Sequence, residues 1–166
     1  HVKSYINIQK IRYKNRLQVS FYVDEELLDN CIIKILVQPL VENAIYHGID
    51  QKREGGKISI FCHKSPEGVE IAVEDNGMGM KPEVLHSLQK QLHECQGEHL
   101  GDSIGLKNVH SRLKLYYGRE MGLHIESVYG QGTRVSFDIP FVMYSEENRL
   151  KEMHSGSIFA ERREDV

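Results

Sequence analysis

Leu36-Val-Gln-Pro-Leu-Val-Glu-Asn-Ala-Ile-Tyr-His-Gly48 decides how this chain is read. Leu36, Leu40 and Ala44 recur at helical spacing, with Val37, Val41 and Ile45 half a turn off, so the segment predicts a helix with a wide apolar stripe. Glu42, Asn43 and His47 fall beside that stripe, Asn43 and His47 one turn apart. The helix is expected from about Ile33 or Lys34, with Pro39 causing a kink or a late start, because proline lacks a backbone donor. Gly48 is expected to stop it, as a C-terminal glycine does. An amide oxygen is a hard, neutral ligand suited to Mg²⁺ that already holds phosphates. The same Asn43 can equally be a helix-face amide bonded to a neighbouring loop.

The 166 residues suit one domain with a real core, and 40% hydrophobic with 27% charged content is ordinary for a globular chain. A formal charge of −3, without a basic stripe carrying interleaved aromatics, argues against a nucleic-acid binder. Cys31, Cys62 and Cys95 include no C-x-x-C pair, which makes a reducing compartment the default and free thiols the simplest reading. No apolar run approaches the roughly 20 residues that span a bilayer, so no direct membrane contact is expected. The first residue is His rather than Met, which reads as a fragment of a longer protein.

Around the central helix the chain alternates element types. His1 to about Lys14 reads as a basic helix end with an imperfect apolar face of Tyr5, Ile6, Ile8, Ile11 and Tyr13. Leu17–Val23 alternates as a strand, and the acidic stretch from Asp24 to Asn30 reads as a turn. Lys57–His63 and Val69–Glu74 flank the turn Ser65-Pro-Glu-Gly68, a hairpin by spacing and turn chemistry. The long polar stretch from Met80 to Ile104 carries one helical piece, about Pro82 to His93, and connections of this length are usually functional or mobile. A second core helix is expected from Gly105 to about Tyr117, then strands Leu123–Tyr129 and Thr133–Ile139 around Gly130-Gln-Gly132. The tail 143–166 is charged, lacks an apolar period and is expected to be poorly ordered. Strands and helices mix without regular β-α-β alternation, which fits an α+β, two-layer sandwich: a mixed, mostly antiparallel sheet with helices on one face.

Three further stretches carry candidate chemistry. Asp75-x-Gly77-x-Gly79 comes directly off a strand end, where a carboxylate can accept a hydrogen bond from an exocyclic amine such as that of adenine; it is also good turn chemistry. Gly101-Asp-Ser-Ile-Gly105-Leu-Lys-Asn108 leads into a helix whose free N–H groups and dipole favour a phosphate, with Lys107 and Arg112 adding charge; the alternative is a hinge before an amphipathic helix. Gly130-x-Gly132-Thr133 is a hairpin turn by every local rule. His93-x-Cys95 with His99 matches no strong zinc spacing, and the histidines outside these motifs read as surface residues.

The ordered set is what is specific: an Asn on a helix, D-x-G-x-G after a strand, a long loop, a glycine-led helix, then G-x-G-T. In this order, from about Leu17 to Phe141, the chain resembles the GHKL ATP-binding domains of gyrase, the heat-shock chaperone, MutL and histidine kinases. The match is closest in wording to the catalytic, ATP-binding domain of sensor histidine kinases of the LytS/YesM type. It rests on Gln38–Gly48, Glu74–Gly79, Ile104–Gly118 and Gly130–Thr133. The resemblance implies a Bergerat-type fold over 17–142, with 1–16 the end of an upstream dimerisation or linker helix and 80–104 an ATP lid. It implies ATP and Mg²⁺ as cofactors, Asn43 as the Mg²⁺ ligand, and Asp75 as the acceptor for the adenine amine. Gly77 and Gly79 would let the backbone pass the base, and Thr133 would support the adenine pocket. Gly105 with the N–H groups of Leu106 and Lys107 would face the phosphates, and Glu42 would position Asn43, the metal or an attacking group. It further implies a membrane-anchored, homodimeric parent in a two-component system, a response-regulator partner, and a cytoplasmic place for this piece.

Three departures from that pattern bear on the chemistry. Pro39 stands where the hydrolysing relatives carry a general-base Glu, which favours phosphoryl transfer over fast hydrolysis. Tyr46 replaces a Lys common in histidine kinases, leaving His47, Lys107 or Arg112 to supply charge. Ser103 replaces a frequent Gly before the glycine-led helix. No Pro-His-Phe phosphoacceptor pattern occurs, so the fragment is expected to bind ATP without autophosphorylating. The rival readings are an ATP-hydrolysing GHKL module and a degenerate, non-catalytic nucleotide-binding scaffold.

Overall fold

The computed structural model describes residues 1–28, 36–50, 54–94 and 104–141. The expected helix start at Ile33 or Lys34, Cys31, Cys95, His99, Ser103 and the tail 143–166 lie outside the described residues.

The helix α1 (Val2–Tyr13) leads through a 3₁₀ turn, Lys14–Arg16, into strand β1 (Leu17–Val23). Helix α2 runs Val37–Asn43, followed by a wider π-helical segment, Ala44–Ile49. Strands β2 (Gly56–Ser65) and β3 (Gly68–Asp75) form the expected hairpin. Helices α3 (Pro82–Glu94) and α4 (Ile104–Tyr117) precede strands β4 (His124–Val128) and β5 (Gly132–Ile139). The sheet has five strands in the order β1-β2-β3-β5-β4. Among the described residues only the β1–β2 pair is parallel, and a parallel pair needs a crossover, here made through α2. The mixed, mostly antiparallel sheet with helices is the architecture the alternation of elements predicts.

Period-two burial explains the layering. Ile58, Ile60, Ile71, Val73, Val135 and Phe137 are buried on one face, under Leu40, Val41 and Ile45 of the α2 segment and Leu106, Val109 and Leu113 of α4. On the other face Tyr22 stacks on Phe61 at 5.0 Å, and the Arg134 guanidinium lies over the same ring while bonding Glu70 Oε1 at 2.9 Å. Helix α3 is anchored to the same core: Leu88 and Leu92 are buried, and Gln89 Nε2 donates to the Ile125 carbonyl at 3.1 Å.

Two sequence expectations are corrected. The helix does not stop at Gly48; it continues to Ile49, with Asp50 N bonding Ile45 O five residues back. The π-helical widening, a feature that clusters at functional sites, places Gly48 inside the helix, where it is needed for packing rather than capping. In α1, Ile6, Gln9 and Tyr13 are buried, whereas Ile8 and Ile11 are exposed. The apolar residues at positions 8 and 11 point away from the face that docks.

His110, on α4, is not a surface histidine. It is 4% exposed, its Nδ1 accepts a hydrogen bond from Leu123 N at 3.1 Å, and a side chain on Gly122 would collide with its ring. Burial first, then the positive charge of Lys114, pushes its pKa down to about 4 from 6.5. The folded state therefore holds it neutral, while the unfolded chain takes up a proton below about pH 6.5. Stability from this group is complete above that pH and is lost as pH falls toward 4, by up to about 3 kcal/mol. His110→Gln, which keeps an acceptor and does not titrate, should flatten the stability-versus-pH curve between those limits by close to one proton; an unchanged curve would contradict the assignment.

Candidate nucleotide site

The loop after β3 is held between the α2 segment and the β4–β5 hairpin by main-chain contacts that only glycines permit. Asp75, the last residue of β3, is 5% exposed, and its Oδ1 accepts from Gly77 N at 2.7 Å. A Cβ on Gly48 would lie 2.5 Å from that same oxygen, and one on Gly77 would lie 2.3 Å from the Gly48 main chain. Met78 N donates to Gly48 O at 3.2 Å, and Gly130 N donates to Met78 O at 2.7 Å. Asn76 bonds Lys57 in both directions, through its N–H to the carbonyl and its Oδ1 from the amide, which ties the loop to β2. Gly79 has φ +61, and a Cβ there would meet Val128 O at 2.1 Å.

Thr133 sits directly opposite Asp75 in the β3–β5 register and is also buried. Its hydroxyl lies 2.8 Å from Ser127 Oγ, which donates to Gly132 O at 3.0 Å and accepts from Met80 N at 2.8 Å. Ser127 was not singled out by the sequence reading. No motif marks it, and its role depends on the β4–β5 register placing it opposite Thr133.

The second wall is helical. Asn43 ends α2 half-buried, His47 is exposed in the π-helical segment, and Glu42 is half-buried with its Oε1 accepting from Gln38 Nε2 at 3.0 Å. Gly105 lies in the first turn of α4, where an added Cβ would make only an ordinary 3.7 Å contact with Pro39 Cβ. The start of α4 thus lies beside the first turn of α2. Pro39 occupies that first turn, where its missing N–H costs no helical hydrogen bond. Leu106 is buried in the core, so its backbone rather than its side chain is available to a ligand; Lys107 is half-buried.

These pieces suit a purine nucleotide. A buried carboxylate beside a threonine hydroxyl at the strand end can read a base, and a helix start with an asparagine on a neighbouring helix suits phosphates and a hard cation. Gly48, Gly77 and Gly79 keep the wall as backbone, which allows close approach. Among the described residues no cluster of three His, Cys, Asp or Glu groups could hold a metal alone.

The fold and this wall define a nucleotide-binding α/β sandwich. The chain belongs to the family of histidine kinase-, DNA gyrase B- and HSP90-like ATPases, whose model matches residues 26–143. It is 41% identical over 139 residues to the sensor histidine kinase YpdA of Escherichia coli K12, covering 84% of this chain and 23% of that one. It is 31% identical over 155 residues to the sensor protein LytS of Bacillus cereus, covering 93% of this chain and 26% of that one. The chain thus spans about a quarter of the length of these curated relatives. Its fold matches the catalytic domain of the histidine kinase ThkA with a TM-score of 0.61 at 16% identity, over 86% of this chain and 92% of that one. This is an ATPase-family domain of the sensor histidine kinase kind. Among the described residues no helix is long and apolar enough to cross a membrane.

Proposed function

We propose that this domain binds ATP with Mg²⁺ and delivers the γ-phosphoryl to a histidine outside residues 1–166. The observation that carries the reading is the buried Asp75 carboxylate at the end of β3, walled by Gly48 and Gly77 and facing Thr133 in register. Asp75 accepts the hydrogen bond of the adenine amine, and Thr133 supports the base from β5. Gly77 and Gly79 let the loop backbone lie against the base. Asn43 holds the magnesium ion, which supplies charge neutralisation for the phosphates when bound. The N–H groups of Gly105, Leu106 and Lys107 at the start of α4 orient the phosphates, the Lys107 side chain adds positive charge, and the His47 ring offers a further N–H donor. Glu42 positions Asn43.

Pro39 favours transfer over hydrolysis, because the position one helical turn before Asn43 holds a proline in place of a carboxylate that could activate water. Residues 17–142 are the ATP-binding unit, 1–16 the end of an upstream dimerisation helix, 80–104 the lid, and 143–166 a tail. The parent is a homodimeric, membrane-anchored sensor with this domain in the cytoplasm, acting with its own phosphoacceptor domain and a response regulator.

The test uses the full-length parent with γ-labelled ATP. Label is expected on a histidine, and Asp75→Asn and Asn43→Ala are each expected to lower it at least a hundredfold. Steady phosphate release lost in Glu42→Ala would instead identify a hydrolysing module. Binding without either activity would identify a scaffold.

A further inference from the structure

Asp75, Thr133 and Ser127 form one row across three strands. Thr133 of β5 pairs with Asp75 of β3 on one side and with Ser127 of β4 on the other. Residues directly opposed in a sheet share a face, with Cβ atoms about 5 Å apart. The chain closes tightly around this row. A Cβ on Gly132 would run into the Asp75 carbonyl, and one on Gly79 into the carbonyls of Val128 and Gly132. Asp75 and Thr133 are buried, and Ser127 is half-buried at the end of the row.

Counting protons along the row leaves one solution. A hydroxyl carries one proton and two lone pairs. The Ser127 hydroxyl meets three groups: the Gly132 carbonyl at 3.0 Å, Met80 N at 2.8 Å and Thr133 Oγ1 at 2.8 Å. A carbonyl only accepts, so Gly132 takes the Ser127 proton. A backbone N–H only donates, so Met80 fills one Ser127 lone pair. The lone pair left over can be met only by the proton of Thr133. Thr133 therefore donates toward β4, and its oxygen keeps its own lone pairs. The neighbouring Asp75 carboxylate is an acceptor too, already taking the Gly77 N–H at 2.7 Å. These two buried side chains thus offer a ligand acceptors only. A water lodged between their oxygens would give both its protons to them and turn its lone pairs outward, so the polarity toward a ligand is the same.

We propose that Ser127 is a positioning residue that sets base specificity: by taking the Thr133 proton, it keeps the pocket an acceptor at the purine 6-position and selects a 6-amino over a 6-oxo base. Adenine carries an amine there. Hypoxanthine and guanine carry a carbonyl, whose lone pairs would face those of Asp75 and Thr133. Asp75 alone does not secure the choice, because a Thr133 hydroxyl free to rotate could turn its proton to that carbonyl. The inference rests on the nucleotide reading above.

The test compares ADP with inosine diphosphate, each with Mg²⁺, by calorimetric titration of the 166-residue chain. Ser127→Ala frees the Thr133 proton, and the ratio of ADP to inosine diphosphate affinity is expected to fall about tenfold, the upper range for one neutral hydrogen bond. The same variant takes a partner from Met80 N and Gly132 O, which weakens both nucleotides alike, so the ratio is the readout rather than either affinity. Ser127→Thr keeps the hydroxyl and should keep the wild-type ratio. Thr133→Val removes the same acceptor and should lower the ratio as far, with Ser127→Ala adding nothing in that background. An unchanged ratio in either single variant would overturn the proposal, and so would a further fall when Ser127→Ala is added to Thr133→Val. A wild type that binds neither nucleotide would instead remove the nucleotide reading itself, and this inference with it.

Discussion

Gly77→Ala should destabilise the domain by about 3 kcal/mol, the upper end for forcing extra atoms into a packed site. Its Cβ would lie 2.3–2.4 Å from the Gly48 Cα, carbonyl carbon and oxygen, and main chain cannot turn aside as a flexible side chain does. Gly48 in turn cannot retreat, because the Asp75 carboxylate lies behind it. Urea unfolding should show a lower midpoint at an unchanged slope. A loss below about 0.5 kcal/mol, within the range of ordinary surface changes, would mean that the loop after β3 is not held where it is described. Gly105→Ala provides the contrast. It meets only Pro39 Cβ at 3.7 Å, and alanine is the better helix former, so the fold should be unharmed or slightly stabilised. Any loss of nucleotide affinity in that variant then reports on the ligand side of α4 alone.

Asp75→Asn should lower nucleotide affinity at least a hundredfold while leaving the fold intact. The amide is nearly isosteric, and its oxygen can still accept from Gly77 N, the contact Oδ1 makes at 2.7 Å. What changes is chemical: a donor replaces an acceptor in a pocket that is 5% exposed, so an exocyclic amine meets an N–H where it needs a lone pair. Sites built to hydrogen-bond one group reject its mismatch strongly, because the buried polar atoms are left unpaired. Thermal unfolding within a few degrees of the wild type, with ADP binding lost, is the expected pair of results. Retained affinity would remove Asp75 from base recognition.

Much of this fold was legible in the sequence, because the strands alternate and the turns carry their own chemistry. β1 falls on Leu17–Val23 as read, and the β2–β3 hairpin turns between Ser65 and Gly68. What sequence could not supply were facts that depend on tertiary approach. Gly48 looks like a helix stop in one dimension, but it is an interior glycine because Asp75 and Gly77 come to it from 27 and more residues away. Ser127 acquires its role only when β4 pairs with β5 and the 76–80 loop lies across them. His110 reads as one more polar residue on an amphipathic helix until Leu123 N is seen to need its ring nitrogen. In α1, hydrophobicity pointed to Ile8 and Ile11 along with Ile6 and Tyr13, whereas the helix docks through Ile6, Gln9 and Tyr13 and leaves Ile8 and Ile11 exposed. Asp75, Thr133 and the loop glycines, which the sequence presents as separate motifs, lie together at one end of the sheet.

The measurement that tests the central claim most directly is calorimetric titration of the 166-residue chain with ATP, with and without Mg²⁺, on the wild type and on Asn43→Ala. The account predicts saturable binding that Mg²⁺ strengthens in the wild type, and a residual binding in Asn43→Ala that Mg²⁺ no longer affects. No heat at millimolar ATP, or a magnesium effect of the same size in both proteins, would contradict it.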